Sequence, residues 1–524
     1  MVISRILRYL KSNIEGGLIS EILLLGSAAG SILWSIYFAV VTISIPYPIE
    51  LREGASQVMT RFFLSGSNPF VLQNQPLAMN NYGLGYNLVV APFAALLGNT
   101  LLVHRSVTFG FILLSAVTGF FAIHKLKRNI ALGLAYAAFI MIGLINRGGI
   151  GAFPSAMGVF LFMMTVFIPF FKGFTPISLL LSSLFSIAAF YSKAYFVLGF
   201  GVVASYLFLF VSKKTGLLYS LYFFLFFVVS FFVVRFAFPL YFIDTIIGNI
   251  SNTSRSAAHM YSQMKQLWLY FFPILLSSSL VLLSTKGHAL TGAMDQPFNI
   301  QKWESPLINV SLDYFLYASV CSLLAFIFLL GPHIGSYLSY AYQLIIPVFF
   351  CWFFLNFNPQ RKMGFLIVVL IVFNLFFWQK SVLPPQMLEQ KASKEWSSLY
   401  SYIQPSANIL NSSVITSAMI DSGLSPIDSG QTVYYYFVKP YPDSPLFGIS
   451  YAALRSDGFE YIKFIDNSLA KQKFDLIFTT LEKGGTFYHM GLVEKFYMPI
   501  TEIKVEMPQT DQQWTILIWK PIVK

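Results

Sequence analysis

The run LLYSLYFFLFFVVSFFVVRFAF, residues 217–238, carries one charge, Arg235, in 22 residues and follows the pair Lys213-Lys214. About 20 predominantly apolar residues in a helix cross the ~30 Å hydrocarbon core of a bilayer. Runs of this kind recur along the chain. They predict spans near 19–44, 105–124, 130–146, 153–171, 176–192, 194–211, 217–238, 267–285, 312–331, 338–356 and 363–379, eleven in all. Basic residues collect in the short connections: Lys125, Lys127 and Arg128; Lys172; Lys213 and Lys214; Arg361 and Lys362. Cytoplasmic loops carry such an excess of Lys and Arg. With those clusters inside, the first span is a retained helix whose basic start (Arg5, Arg8, Lys11) is cytoplasmic. The odd number of spans then puts the C-terminal part outside the cytoplasm.

Composition agrees. Of 524 residues, 56% are hydrophobic and 11% charged, against about 25% charged in soluble domains. The mean hydropathy is +0.66. Soluble cores stop growing near 250–300 residues, so one buried core does not account for this chain. The 55 Phe and 29 Tyr suit lipid-facing surfaces and interfacial belts. The net charge of +12 follows from the inner-loop clusters and does not call for nucleic acid. Cys321 and Cys351 lie in apolar runs and read as small buried hydrophobes.

Pro384-Pro385 marks a boundary. We expect an α-helical polytopic membrane domain over 1–380 and a soluble, extracytoplasmic α/β domain over 381–524. In the latter, Val414–Ala418, Val433–Val438, Leu476–Thr480 and Trp514–Trp519 have strand character, and Phe459–Lys471 has helical spacing. Gly484-Gly485 reads as a turn; no nucleotide-binding Gly-rich fingerprint follows a strand.

The first outer loop, 45–104, is the longest polar excursion before the tail. Residues 51–64 predict an amphipathic helix with the stripe Ala55, Val58, Met59, Phe62 and Phe63, ended by Gly66 and Pro69. Tyr86–Leu97 is short for a span and contains Pro92, so it is expected to lie at the interface. The loop as a whole is apolar enough to sit against the bilayer. Glu50 and Glu53 come just after the first span, a depth at which ionisable groups are functional candidates. In a helix their spacing puts both on one face; in an extended chain they point apart. A first-turn charge favouring the helix dipole is the other reading of Glu53.

The ordered set Ile49-Glu50-Leu51-Arg52-Glu53-Gly54-Ala55, Leu64-Ser65-Gly66-Ser67-Asn68-Pro69-Phe70, Asn80-Asn81-Tyr82-Gly83 and His104-Arg105-Ser106 resembles the bacterial GT-C glycosyltransferases, the protein O-mannosyltransferase and aminoarabinose transferase superfamily. The resemblance covers roughly 19–360 in layout and is sharpest over 49–106. It implies transfer of a sugar from a polyprenyl-phosphate donor to a glycan, lipid or protein acceptor at the outer face of a bacterial inner membrane. It implies a carboxylate base, Glu53 or Glu50, in an inverting reaction. It supports a phosphate contact from Lys193, for which snorkelling to the interface is the other reading. Arg105 either faces the phosphate or anchors the head of the second span. Arg52, Tyr82, His333 and Tyr340 are further substrate-binding candidates, with an interfacial aromatic belt as the other reading of His333 and Tyr340. Leu330–Tyr337 and Gln343-Leu344-Ile345-Ile346-Pro347 resemble a further element of the same enzymes. No metal ligand set is assigned, because His333 has no partner at ligand spacing. No cofactor is called for with certainty, and a divalent cation stays open.

The chain also departs from the pattern. Asn80-Asn81-Tyr82-Gly83 stands where many members have Lys-Pro-Pro, and Phe153-Pro154-Ser155 where some have Arg-Pro-Asp, with Arg147 nearby as a substitute. Two alternatives follow. A lipid-substrate transporter or flippase usually shows paired repeats or interrupted helices around midplane charges; here no repeat is evident and the charges lie at outer ends of spans. An inactive scaffold of the same fold is the other, given the changed motif residues. Arg255, His259 and Lys265 suit a solvated or headgroup-facing loop.

Overall fold

The structure is a computed structural model and describes residues 2–50, 52–145, 149–248, 255–284, 313–333, 338–360, 363–380, 385–429, 451–481, 488–507 and 512–522. All eleven expected windows are occupied by helix. In order these are α1 (Val2–Ser44), then, after two loop helices, α4 (Leu101–Lys127), α5 (Ile130–Ile145), α6 (Ser155–Phe171), α7 (Pro176–Ser192), α8 (Leu198–Tyr206), α9 (Lys213–Ala237), α10 (Ala257–Ser284), α11 (Tyr314–Ala325), α12 (Leu338–Asn356) and α13 (Gly364–Lys380). A 3-10 turn before α8 and π turns after α8 and α11 extend those helices to Ala194–Val211 and Tyr314–Leu330. Among the described residues six helices are long and apolar enough to cross a membrane; shorter apolar helices fill the other windows. Their starts follow from short polar caps. Ser212 accepts from Thr215 N at the head of α9, and the Asp313 carboxylate from Phe315 N and Leu316 N at the head of α11.

Burial separates lipid-facing from central helices. Along α9, Leu217, Leu221, Leu225, Val228, Phe232 and Phe236 are exposed. Apolar surface on that scale is soluble only in lipid. By contrast α12 is the hub: Phe350 stacks on Phe139 of α5 with centroids 4.3 Å apart, and Trp378 of α13 meets both rings. The chain is an integral membrane protein.

The two loop helices are α2 (Glu53–Leu64) and α3 (Leu84–Leu97). The amphipathic helix forms as expected, but it does not rest on the bilayer. Every residue of Glu53–Thr60 is buried, because protein closes over both faces of α2. By contrast α3 stays helical through Pro92 and exposes Leu88, Phe93, Leu96 and Leu97.

Beyond α13 come α14 (Pro385–Tyr400), β1 (Ile409–Leu410), α15 (Thr416–Asp421), α16 (Tyr451–Ala470), β2 (Leu476–Thr480), α17 (Met490–Phe496), β3 (Tyr497–Met507) and β4 (Gln512–Pro521). The strand order is β1-β2-β4-β3, with β1 parallel to β2 and the other pairs antiparallel. Alternation along β4 sends Leu517 and Trp519 toward the core that holds Ile465 and Leu469 of α16, and Ile516 and Ile518 toward Trp396 and Leu399 of α14. The expected strands at 476–480 and 514–519 are β2 and part of β4, and the helix at 459–471 lies within α16 apart from its last residue. Val414–Ala418 is instead a 3-10 turn running into α15. Asn411 explains this: its side chain donates to Ser412 O and Asp428 O and accepts from Ile427 N, closing a turn where an extended strand would have to run. Val433–Val438 and Gly484-Gly485 lie outside the described residues.

The two ends of the bundle differ in chemistry. Lys125 Nζ lies 5.8 Å over the Phe171 ring, Asn129 donates to Glu21, and Gly17 lies against Gln360, so the ends of α4, α6 and α12 and the Gly17 region of α1 share one end. The 45–104 loop and the C-terminal sheet domain share the other, where Gln57 donates to Asp421.

Candidate active site

The two glutamates of the outer loop, three residues apart, have different surroundings. Glu53 opens α2 and is fully buried. Its Oε1 accepts from Arg105 Nε (2.9 Å) and Ala152 N (2.9 Å); its Oε2 accepts from Arg105 Nη2 (2.7 Å) and Ile49 N (2.9 Å). Arg105, one turn into α4, is also fully buried. Beyond Glu53 it donates from Nη1 to Thr42 O and Ile45 O and from Nη2 to Tyr47 O. A guanidinium has five N–H donors, and those five bonds engage all of them. Glu53 and Arg105 therefore clamp the end of α1, the start of α2, α4 and the 151–152 turn together. This corrects the expectation that Arg105 faces a phosphate: no N–H is left to reach one.

Glu50 precedes α2 and its side chain is 9% exposed. It accepts from Arg52 Nε at 2.5 Å and Arg52 N at 2.7 Å. Arg52 in turn donates to the Tyr82 hydroxyl at 2.7 Å and lies 5.4 Å over the Phe153 ring. On the far side of Tyr82 is Lys193. Its ammonium lies 5.1 Å from the Tyr82 centroid, 5.2 Å from Tyr195 and 4.5 Å from Tyr340, and donates to Ser155 Oγ at 3.3 Å. Cations within about 6 Å of a ring face are attracted by its quadrupole. The Tyr195 ring lies tilted 40° against Tyr340 with centroids 5.0 Å apart, and its hydroxyl donates to Gln343. A cavity of about 10 Å³, room for one water, shares Ser155 and Gln343 with this box.

Local sequence explains the placement. Lys193 ends α7 in an extended conformation. Gly83 N donates to Ser192 O at 3.2 Å, and a Cβ on Gly83 would lie 2.0 Å from Tyr191 O. Only a glycine lets the Tyr82 loop come this close to the end of α7. Asn80 Oδ1 accepts from Tyr82 N and so aims the ring.

Five of the eight expected residues thus converge: Glu50, Arg52, Tyr82, Lys193 and Tyr340. Glu53 and Arg105 form the clamp beneath. His333 lies apart, its backbone bridged to Arg255. Arg147 lies outside the described residues. Sequence reading missed Ser155 and Tyr195 as members of the box; Tyr195, two residues after Lys193, was the available signal. Among the described residues no three His, Cys, Asp or Glu side chains group as a metal site would require.

The helical membrane domain, buried outer-loop helix and small C-terminal sheet together repeat a fold seen among solved structures. The particular likeness is to ArnT from Cupriavidus metallidurans, a crystal structure with undecaprenyl phosphate bound: TM-score 0.57, 11% identity, 94% of this chain and 98% of that chain covered. At that identity the likeness is one of fold. No family model and no curated protein matches the chain.

Proposed function

We propose that this protein transfers a sugar from a polyprenyl-phosphate carrier to an acceptor on the extracytoplasmic face of a membrane. One observation carries the reading. The box around Tyr82 holds two cations, Arg52 and Lys193, and one carboxylate, Glu50. Among the described residues it carries one more cation than carboxylate, at the end of the bundle that holds the 45–104 loop. A sugar-phosphate diester headgroup supplies a balancing anion, and its prenyl chain stays in the bilayer. The fold likeness to a protein seen with undecaprenyl phosphate supports this donor class.

Glu50 is the base. It takes the proton of an acceptor hydroxyl or amine as that atom bonds to the anomeric carbon. The bond from that carbon to the phosphate oxygen breaks, and the phosphate leaves with the electron pair. Lys193 and Arg52 stabilise the charge that develops. Attack opposite the leaving group inverts the anomeric centre. Tyr340 and Tyr195 offer ring faces and hydroxyls to the sugar. Glu53 and Arg105 hold the loop in place and touch no substrate. Residues 1–380 form the catalytic domain within a bacterial inner membrane, and 381–524 form a soluble domain on its outer side.

The test uses purified full-length protein with polyprenyl-phosphate sugars. Glu50→Gln abolishes transfer while retaining undecaprenyl phosphate binding. Full turnover in Glu50→Gln refutes the assignment of the base. Carrier movement across vesicles without sugar transfer replaces the reading with transport.

A further inference from the structure

The segment that carries the carboxylates is gripped on both flanks by the C-terminal domain. Upstream, Trp396 of α14 stacks on Tyr47, with centroids 5.6 Å apart and planes 2° from parallel, and Tyr400 Oη donates to Pro46 O at 3.1 Å. Trp396 is itself buried and tied to the sheet through Glu506 O. Downstream, the Gln57 amide donates to Asp421 Oδ1 at 2.9 Å. Arg61 donates to Leu424 O at 2.6 Å and Ser425 Oγ at 2.9 Å. Between these bonds α2 crosses α15 at Gly54, where a Cβ would lie 2.7 Å from Thr416 Cβ and 3.3 Å from Ser417 N. Glu50, Arg52 and Glu53 sit between the two grips.

We propose that the C-terminal domain is a positioning element of the active site, acting through Gln57, Arg61 and Asp421 on the 48–53 segment. It sets where the Glu50 carboxylate stands relative to Lys193, which belongs to the membrane domain alone. The inference rests on the transferase reading for its catalytic consequence, not for the clasp itself. A catalytic group displaced by about 1 Å loses on the order of a hundredfold in rate. The Glu53–Arg105 clamp holds the segment from the membrane domain, and four side-chain bonds and a ring stack hold its two flanks from the C-terminal domain. The clasp therefore governs turnover more than donor affinity.

The experiment compares full-length wild type, Asp421→Leu with Arg61→Leu, and the conservative Asp421→Asn, which keeps the Oδ1 acceptor. Two readouts are taken in lipid nanodiscs: hydrogen exchange of peptides covering 45–64, and binding of undecaprenyl phosphate beside steady-state transfer. The double variant raises exchange in that segment about tenfold or more. Its kcat falls at least about tenfold, while undecaprenyl phosphate binding stays within about twofold. Asp421→Asn behaves as wild type. Unchanged exchange in 45–64 overturns the proposal, as does loss of undecaprenyl phosphate binding in parallel with kcat. If wild type transfers no sugar, the transferase reading fails by itself and the exchange data still decide the clasp.

Discussion

Replacing Glu53 by Gln separates a clamp from a base. The substitution keeps the shape of the side chain, so on a surface it would be mild. Here it meets four donors. If the new amide nitrogen takes the place of Oε1, its hydrogens face Arg105 Nε and Ala152 N; in the place of Oε2, they face Arg105 Nη2 and Ile49 N. Either orientation sets N–H against N–H twice and leaves a fully buried guanidinium without a counter-charge. Removing one partner of a buried pair costs about 3–5 kcal/mol, roughly a 10²–10⁴-fold change in the folded fraction. Glu50→Gln touches one partly exposed partner, Arg52, and costs about 1–2 kcal/mol. Urea unfolding in mixed micelles, followed by tryptophan fluorescence, ranks the two variants. A cycle with Arg105→Leu isolates the pair term. A Glu53→Gln protein that unfolds at the wild-type urea concentration yet has lost all transfer refutes the division of labour and returns the base role to Glu53.

Three further outcomes follow from the same geometry. Lys193→Ala weakens undecaprenyl phosphate binding by about tenfold or more, the scale of one lost charge-assisted contact, measured by titration into nanodiscs; unchanged affinity places the phosphate elsewhere. Tyr82→Phe removes the hydroxyl that accepts from Arg52 but leaves both cation–ring contacts; kcat falls severalfold with stability held within about 1 kcal/mol, read from transfer rates and urea midpoints. Gly83→Ala drives a methyl into Tyr191 O and costs about 1–3 kcal/mol as the Tyr82 loop and the end of α7 separate; Asn80→Ala, which frees Tyr82 N without a clash, affects activity more than unfolding.

The spans, the outer-loop helix and half of the sheet were legible in the sequence because each depends on a local pattern. An unbroken apolar run predicts α9 without reference to anything else, since a helix in lipid satisfies its own backbone. Alternation predicts β2 and β4. β3 escaped because Glu502, Lys504 and Glu506 leave little apolar signal on its outer face, and Val414–Ala418 misled because a short β-branched run reads alike in strand and helix. The candidate site was partly legible: Glu50, Lys193 and Tyr340 stand out as polar residues at span ends. What each does was decided only in three dimensions.

Glu50 and Glu53 are near neighbours in the chain and alike in chemistry. They differ because Arg105, 52 residues on, reaches one of them with two N–H donors while its other three bind backbone carbonyls. Likewise Lys193 becomes a cation facing three rings because Gly83 lets a distant loop touch the end of α7, and Gln57 finds Asp421 across 364 residues. Local hydrophobic pattern fixes elements, because burial in lipid or core acts on each segment alone. Donor and acceptor pairing assigns roles, and it exists only once remote segments have met.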